Sequence, residues 1–337
     1  MARELTAAGR LMTIIHGSWQ THVTAAFAEL GLADLLGGQP SQVAGLARKA
    51  GADPAVFPRF VRACCRIGLL AEDPPGCVRL TPEGELLRGG TAASLRDFAR
   101  VQATPGQLRP YELLAQAIRD GGPAAAAALG EPVWEYYGKR PDEAALLESA
   151  INGIAALEAP AVVAAVDLTG CETIVELRGG VSAILAALLD AAPHARGVLV
   201  DRPELVAAAR ERIGRHLLGR VETRAGEALD LPQGLAADLY LISHGLHFLG
   251  GGGAARQALA KLRDASPRRA RLVIVDPVLT ADSPAVCDLL DLHTLVLLGG
   301  RERTAGEFGS LLAAAGWRLE QIVPTGVLAD VIVASRA

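Results

Sequence analysis

The stretch Thr173–Asp201, TIVELRGGVSAILAALLDAAPHARGVLVD, contains in order the patterns of a strand, a turn, an apolar helix and a second strand. A nucleotide-binding βαβ unit carries G-x-G-x-G at this turn, because the ligand lies against bare backbone. Here the three glycine positions hold Arg178, Gly180 and Ser182. The acidic residue expected about 20 residues further on, which would hold a ribose, is present as Asp201. The sequence therefore predicts a nucleotide-type pocket that is only half retained.

Strand and helix patterns continue to alternate from this unit to the C-terminus. The strand-like segments are IVELR, GVLVD, RVETR, DLYLIS, RLVIVD, WRLEQIV and DVIVAS. Such alternation predicts an α/β domain with a parallel sheet that is covered by helices on both faces. Ligands bind to these sheets outside the carboxyl ends of the strands. Because Asp201, Ser243 and Asp276 fall at such ends, we expect the functional site there.

The N-terminal region has the outline of a winged helix. Two short helix patterns, SQVAGLARKAG and DPAVFPRFVRACCRIGLL, precede a small hairpin pattern, AEDPPGCVRLTPEGELL. The second helix carries Arg59, Arg62 and Arg66, which could contact DNA. Apolar residues are interleaved with these arginines, so the helix has only one thin polar face. We therefore favour an interaction or dimerisation module over a DNA-binding one.

The composition limits the classes of partner. The chain has 337 residues, half of them hydrophobic, and a formal net charge of -4. Because no broad basic patch is visible, we expect neither a nucleic-acid nor a membrane partner. The five cysteines form no C-x-x-C pair and have no His spacing that suits zinc, which predicts reduced thiols and no metal site. The N-terminus lacks a signal-peptide pattern, so we expect a cytoplasmic protein.

Residues 95–165 have helical patterns and include three neighbouring aromatic residues, Trp134, Tyr136 and Tyr137. Aromatic residues make up only 4% of the chain, so such a group is a candidate for a functional surface. Trp134 and Tyr137 are candidates for binding a flat aromatic substrate. The alternative, that the group caps a domain interface, is equally open.

Five motifs resemble those of one enzyme family over essentially the full length. They are LTPEGELLR, LLDAAPHARGVLVDRPELVAAAR, DLLDLHTLVLL, GGRERTAGEF and VPTGVLADVIVA. The chain thereby resembles the two-domain class I O-methyltransferases of plant phenolics and of actinomycete polyketide tailoring. The resemblance implies a winged-helix dimerisation domain over 1–100, a helical linker and substrate layer over 101–165, and a Rossmann-like domain over 166–337. It further implies a homodimer, and we expect the helix around Val23 to Leu35 to form its seam.

The resemblance also implies a catalytic base. In that family a histidine in an L-H-D-W-x-D motif takes the proton from the substrate hydroxyl as the methyl group arrives. The corresponding segment here is GLHFLGG, which keeps this histidine as His247. The acidic residues that flank the family's histidine match Asp276 and Glu302, and a carboxylate there holds the imidazole in one tautomer. His244 and His293 stand where the family usually has other residues, so they are further acid or base candidates, and His293 is also a substrate-binding candidate.

The cofactor side of the resemblance departs from the family pattern. The candidates for binding S-adenosylmethionine are Arg178, Gly179, Gly180, Ser182, Asp201, Glu227 and Ser243. Arg178 is the weightiest departure, because its permanent charge stands where the methionine portion of the cofactor would press on bare backbone. In the alternative interpretation, the guanidinium of Arg178 pairs with the methionine carboxylate.

Three functions remain as hypotheses. We favour an O-methyltransferase-like enzyme that requires no cofactor and uses His247 and Glu302, with a second histidine, for a non-methylating step on an aromatic, polyketide-like substrate. Such a step would be coupling of a nucleophile, cyclisation, hydroxylation or decarboxylation. The alternative is an ordinary S-adenosylmethionine-dependent O-methyltransferase that acts on an aromatic hydroxyl. The third hypothesis is a regulator that binds a small molecule and DNA.

Overall fold

The computed structural model describes residues 5–177, 183–202, 206, 217, 219–226, 235–250 and 253–337. The chain divides into two compact units. The N-terminal unit consists of Met1–Leu108 and Arg140–Gly153, and the C-terminal unit consists of Arg109–Lys139 and Ile154–Ala337. The division into three domains that is expected from the sequence remains a prediction.

The N-terminal unit combines short helices with a small antiparallel sheet. Its helices are α1 (Ala7–Ile15), α2 (Gly17–Glu29), α3 (Leu32–Leu36), α4 (Val43–Lys49), α5 (Phe57–Arg66), α6 (Pro82–Glu85), α7 (Arg96–Val101) and α8 (Pro105–Leu108). Its strands are β1 (Ser41–Gln42), β2 (Leu70–Glu72) and β3 (Cys77–Leu80), in the order β1-β3-β2. The two helices α4 and α5 precede the β2–β3 hairpin, as the sequence pattern predicts.

Helix α5 shows how this unit is held together. Phe57, Val61 and Cys64 follow one another at the spacing of a helix face, and all three are buried in the core of the unit. The arginines of the same helix lie on the exposed side, at Arg59, Arg62 and Arg66.

Part of helix α2 and most of α3 pack in this same core. Phe27, Ala28 and Leu32 are almost completely buried among the other core residues of the unit. The seam expected around Val23 to Leu35 remains a prediction, to which these three buried side chains cannot contribute. The exposed apolar residues of this region include Leu30 and, earlier in the chain, Leu11, Met12, Ile14, Ile15 and Trp19.

The C-terminal unit contains short helices followed by an α/β sheet. Before the sheet come a 3-10 helix (Arg109–Leu113), α9 (Leu114–Asp120), α10 (Ala125–Leu129) and α11 (Val133–Gly138), and the long α12 (Pro141–Ala165) belongs in part to each unit. The strands are β4 (Thr173–Leu177), β5 (Arg196–Asp201), β6 (Val221–Ala225), β7 (Leu239–Ser243), β8 (Arg271–Asp276), β9 (Val278–Leu279), β10 (Arg303–Thr304), β11 (Trp317–Pro324) and β12 (Asp330–Arg336). The helices among them are α13 (Ala183–Ala191), α14 (Ala254–Ala265), α15 (Ala285–Leu298) and α16 (Ala305–Ala314).

Seven of these strands form one sheet in the order β11-β12-β8-β7-β4-β5-β6. The five neighbouring strands β8, β7, β4, β5 and β6 pair in parallel. Strand β12 is antiparallel to both of its neighbours, β8 and β11. The sequence predicts a parallel sheet throughout, and the terminal hairpin departs from this because residues 325–329 are too few for a crossover between parallel strands. The carboxyl ends of β4, β5, β7 and β8 therefore lie along one edge of the sheet.

The core of this unit joins the sheet to its covering helices. Val175, Ile242 and Ile274 on the strands pack with Leu259 and Trp317 in one buried cluster. The indole N–H of Trp317 donates to the carbonyl of Leu259 at 2.9 Å, so that its single polar atom is satisfied in the core.

Helix α12 is long and apolar enough, by length and composition, to cross a membrane. The core helix of a globular unit passes the same test. Its fully buried Glu158 accepts a hydrogen bond from the backbone N–H of Ala329, which is a contact within the C-terminal unit. The part of α12 around Glu158 therefore packs within the C-terminal unit.

Candidate active site

The loop after β7 carries two of the predicted histidines. His244 follows Ser243, the last residue of the strand, and has a left-handed backbone conformation with φ of 47°. Such a conformation is unfavourable for a residue with a Cβ atom. The backbone N–H of His244 donates to the carbonyl of Val275 at 2.9 Å, which keeps the loop against β8 as the chain turns towards His247.

His247 lies in a buried cluster with two carboxyl groups. Its Nδ1 is 3.0 Å from Oε1 of Glu302 and 3.9 Å from Oδ1 of Asp276. All three side chains are at most 6% exposed. Asp276 ends β8, and the pairing of β10 with β9 brings Glu302 alongside it. The structure thus brings together the three residues of the expected catalytic group, while their roles remain a prediction.

The glycine-rich segment before β10 is fastened to the loop that carries His247. The N–H of Arg301 donates to the carbonyl of His247 at 3.0 Å. The guanidinium of Arg303 donates to the carbonyl of Leu249 at 2.8 Å. A Cβ atom at Gly300 would lie only 2.5 Å from the His247 carbonyl oxygen, so the approach of the two backbones requires glycine there. These contacts hold the segment GGRER, residues 299–303, against the loop that carries His247.

Burial raises the pKa of both carboxyl groups beside His247. For Asp276 the pKa rises to about 6, because burial and the charge of Glu302 outweigh the opposing effect of the nearby histidines. For Glu302 it rises to about 8, because burial and the charge of Asp291 outweigh the opposing effects of His244 and Arg303. Asp291 also accepts the backbone N–H of Glu302 at 2.6 Å. Both carboxyl groups are therefore poised to exchange protons near neutral pH.

His293 on α15 pairs with a residue that the sequence analysis missed. The hydroxyl of Tyr111 lies 2.9 Å from Nδ1 of His293, and the two rings are stacked with centroids 5.8 Å apart. Burial and the charge of His247 lower the pKa of His293 to about 4. His293 is thus a neutral hydrogen-bonding group within electrostatic reach of His247 at physiological pH.

His244 is held by a second residue that the sequence analysis missed. Its Nε2 is 2.6 Å from Oε2 of Glu158 on α12, and its ring centroid is 6.3 Å from that of His247. Burial opposes the charged form of His244, but the carboxylates of Glu158, Asp276 and Glu302 together raise its pKa above the usual value. A single Glu in the apolar run AALEAPAVVAA was a signal that could have identified Glu158.

Unsatisfied polar atoms lie at the strand ends where a cofactor is expected. Both carboxylate oxygens of Glu176 and the hydroxyl of Ser243 are buried and have no hydrogen-bond partner among the described residues. Burial and the charge of Asp201, which ends the neighbouring strand β5, raise the pKa of Glu176 well above its usual value. Glu176 was also missed, although an acidic residue inside the apolar strand TIVEL is an unusual feature of the sequence.

The two aromatic candidates lie in different environments. The guanidinium of Arg202 lies 4.9 Å from the ring centroid of Trp134, which connects this residue to the chain directly after Asp201. Tyr137 is 5% exposed and packs edge to face on Tyr136. Their contact with a substrate remains a prediction.

The other predicted cofactor residues, Arg178, Gly179, Gly180, Ser182 and Glu227, lie outside the described residues. Within the described part of the chain, no group of three or more His, Cys, Asp and Glu residues has the arrangement of a metal site.

A mostly parallel α/β sheet that ends in an antiparallel hairpin, with a His–carboxylate cluster and buried carboxyl groups at its strand ends, is typical of a methyltransferase-fold enzyme. Residues 111–318 match the model of the O-methyltransferase domain, and residues 12–88 match that of the O-methyltransferase dimerisation domain. The chain therefore belongs to the O-methyltransferase family. The predicted family and the predicted fold class, a Rossmann-like α/β domain preceded by a dimerisation domain, are confirmed.

Similar proteins support this assignment over nearly the whole length. The phenazine O-methyltransferase PhzM of Lysobacter antibioticus is 34% identical over 94% of this chain and 92% of its own. The mitomycin biosynthesis 6-O-methyltransferase of Streptomyces lavendulae is 33% identical over 93% of this chain and 90% of its own. Among solved structures, the calicheamicin biosynthesis methyltransferase CalO1, in its SAH-bound form, is 26% identical, with a TM-score of 0.86, over 99% of this chain and all of its own.

These relatives contradict two of the predictions. The favoured hypothesis of a non-methylating enzyme is wrong, because relatives that align almost end to end are named as methyltransferases. The expectation that no cofactor is required is wrong for the same reason, and CalO1 was solved with SAH bound. The substitutions around Arg178 therefore do not by themselves indicate a loss of methyl transfer.

Proposed function

We propose that the protein is an S-adenosylmethionine-dependent O-methyltransferase that acts on an aromatic hydroxyl in natural-product biosynthesis, with a polyketide-like compound as substrate. The observation that carries the proposal is the buried contact between His247 and Glu302 at the carboxyl-end edge of the sheet. The relatives' names, which include a phenazine and a mitomycin O-methyltransferase, support a flat substrate of this kind.

The described residues fit the cofactor. S-adenosylmethionine carries ribose hydroxyls, an ammonium group and a positively charged sulfonium, and these groups require acceptors and negative charge. Glu176, Asp201 and Ser243 provide two carboxyl groups and a hydroxyl at the ends of three adjacent strands. The buried oxygens of Glu176 in particular have no partner within the described residues, as expected for groups that a ligand satisfies. We infer that these three residues hold the cofactor.

The side chains around His247 would carry the proton transfer. When bound, S-adenosylmethionine supplies an electrophilic methyl group. With Glu302 ionised, Nδ1–H of His247 donates to its carboxylate, which leaves Nε2 as the atom that accepts the proton of the substrate hydroxyl. The carboxyl group of Asp276, 3.9 Å from Nδ1, stabilises the positive imidazole that results. The neutral His293 and Tyr111 pair would orient the aromatic ring by hydrogen bonding.

Calorimetric titration with S-adenosylmethionine and S-adenosylhomocysteine tests the cofactor proposal. We expect micromolar or tighter binding, equivalent to about 8 kcal/mol. Asp201→Asn should weaken binding about tenfold, since it removes a charged acceptor, whereas the exposed Asp282→Asn should leave it unchanged. Absence of binding to protein shown to be free of copurified ligand would contradict the proposal. Transfer of a radiolabelled methyl group to hydroxylated phenazines or naphthoates would then test the reaction itself.

We also propose that the N-terminal unit is a winged-helix module through which two chains form a homodimer. Support comes from the match of residues 12–88 to the dimerisation domain. It also comes from the exposed apolar side chains of α1 and early α2, which include Leu11, Ile14 and Trp19. Sedimentation equilibrium should give twice the chain mass, and a combined Ile14→Glu and Trp19→Glu variant should shift the protein towards monomer. A monomeric wild-type protein would contradict this proposal.

A cytoplasmic location completes the proposal. The five cysteines are all free, although Cys64 and Cys65 are neighbours in one helix. Free thiols are typical of a reducing compartment. Burial raises the pKa of the Cys64 thiol to about 12, which protects it further against oxidation.

A further inference from the structure

His244 and Glu158 form a buried pair that the methyl-transfer mechanism does not use. Nε2 of His244 and Oε2 of Glu158 are 2.6 Å apart, and the side chains are 10% and 0% exposed. The second oxygen of Glu158 accepts the N–H of Ala329 at 2.9 Å. Both carboxylate oxygens are thus engaged, which fixes the position of the imidazole relative to α12.

The backbone of His244 shows that this position is maintained at a cost. Its φ of 47° is typical of glycine or asparagine and is unfavourable for a histidine. A buried ion pair is also a poor source of stability compared with apolar packing. Two unfavourable features at one residue, next to the catalytic cluster, indicate a role other than stabilising the fold.

Charged groups face His244 from every neighbouring element. Glu158 approaches from α12, Asp276 from the end of β8, and Glu302 from the segment before β10. Arg303, at the start of β10, interacts with the charges of Asp276 and Glu302. Asp330, at the start of β12, lies close enough to Glu158 for their charges to interact. His247 in the same loop is a further titratable group, with its ring centroid 6.3 Å from that of His244. Carboxyl groups outnumber positive groups here, and His244 lies among them.

We propose that His244, held by Glu158, is a positioning residue that keeps a fixed positive charge beside Asp276 and Glu302 and thereby sets the pH range in which His247 acts as the base. This inference rests on the role proposed above for His247. Its consequence is electrostatic: a positive imidazole favours the ionised form of the two nearby carboxyl groups, and ionised Glu302 holds His247 in the tautomer that accepts the substrate proton.

The effects on titration agree with this geometry. The charge of the Glu158 carboxylate opposes the effect of burial and raises the pKa of His244 above its usual value, which favours the charged form of the imidazole. The charge of His244 in turn lowers the pKa values of Asp276 and Glu302 from what burial alone would produce. Without that charge, Glu302 would stay protonated to higher pH and would donate to His247 instead of accepting from it.

The proposal can be tested without substrate or cofactor by NMR titration of labelled histidine rings and carboxyl groups between pH 5 and 10. In wild type we expect His244 to be doubly protonated at pH 7. His244→Asn removes the charge with a residue that tolerates the left-handed backbone, and it should move the Glu302 titration upward by about one unit. Glu158→Gln should make His244 neutral at pH 7 and move Glu302 in the same direction. His194→Asn, at an exposed histidine, is the matched control and should change neither titration.

Two outcomes would overturn the proposal. One is a neutral His244 at pH 7 in the wild type, and the other is an unchanged Glu302 titration in both folded variants. If His244→Asn does not fold, the Glu302 titration in Glu158→Gln alone tests the proposal. Once a methyl acceptor is known, the acid limb of kcat/KM should shift upward by the same amount, and equal losses at all pH values would indicate a purely structural role. Absence of methyl transfer in the wild type would contradict the proposed function but would leave the NMR result intact.

Discussion

At the scale of single residues, three histidines near one site differ because of their neighbours. His247 faces two carboxyl groups, His244 is paired with one, and His293 has a tyrosine as its partner. In the roles proposed above, the partner distinguishes a base at His247, a charged group at His244 and a neutral hydrogen-bonding group at His293. The sequence shows that these three residues are histidines, but it does not show their partners.

Glu302→Gln tests the orientation of the base. Because the pKa of Glu302 is about 8, wild-type kcat should rise with pH through that value as the carboxylate forms and fixes the tautomer of His247. A glutamine cannot ionise, so the rise near pH 8 should disappear and kcat should fall about 100-fold. Methyl-transfer assays between pH 6 and 10 measure both the pH dependence and the size of kcat. Glu172→Gln, at an exposed carboxyl, should behave like wild type; a persisting rise near pH 8 in Glu302→Gln would argue against the assignment.

The Tyr111 and His293 pair is predicted to act in substrate binding as a unit. Tyr111→Phe keeps the stacked ring but removes the hydroxyl 2.9 Å from Nδ1, so the imidazole loses its orientation. We expect KM for the aromatic substrate to rise about fivefold, corresponding to about 1 kcal/mol, with little change in kcat. A double variant with His293→Asn provides the control and should be no worse than His293→Asn alone. Additive losses would show that the two residues act independently.

At the scale of elements, the segment before β10 and the loop after β7 are held together by close backbone contacts. A Cβ atom at Gly300 would be 2.5 Å from the carbonyl oxygen of His247, and backbone at that distance has to move. Gly300→Ala should therefore displace His247, lower kcat about 100-fold and destabilise the unit by about 2 kcal/mol. Kinetics and thermal unfolding measure the two effects. Gly306→Ala, where an added Cβ meets nothing within 4 Å, is the control and should retain activity.

Sequence patterns predicted the elements better than the contacts between them. The alternation of strands and helices indicated the sheet, because burial on both faces produces continuous apolar strands such as LYLIS. The pairing of Glu158 with His244 spans 86 residues, and that of Tyr111 with His293 spans 182. No local pattern encodes such distant partners. The grouping of Asp276 and Glu302 around His247 was available only through family resemblance.

At the scale of the whole molecule, one weak motif was misleading. The substitutions at Arg178 and Ser182, which lie outside the described residues, suggested a lost function, whereas the described strand ends keep Glu176 and Asp201, and the relatives are methyltransferases. In the proposed function the glycine motif is one contribution among several to cofactor binding, because Glu176 and Asp201 would contribute from the strand ends. Function in this fold is therefore better inferred from the complete edge of the sheet than from its turn alone.

The buried acids also predict how stability depends on pH. The pKa of Glu302 is 4.5 when unperturbed and about 8 in the folded protein, so between these values the folded state binds more protons than the unfolded state. The contribution of this residue to stability is therefore fully present below about pH 4.5 and is lost as pH rises through 8. Glu302→Gln should raise the free energy of unfolding at pH 8.5 by on the order of 3 kcal/mol and have little effect at pH 4.5.

Thermal unfolding of Glu302→Gln, Glu172→Gln and wild type across this pH range measures the difference. Only the variant at position 302 should gain stability with rising pH relative to wild type, because Glu172 is exposed. The same substitution is expected to stabilise the protein and to slow its reaction. Such opposite effects arise because a carboxylate kept in a buried site is costly to the fold and necessary for orienting the base. Equal unfolding temperatures of wild type and Glu302→Gln at pH 8.5 would show that the carboxyl group is not strained by burial.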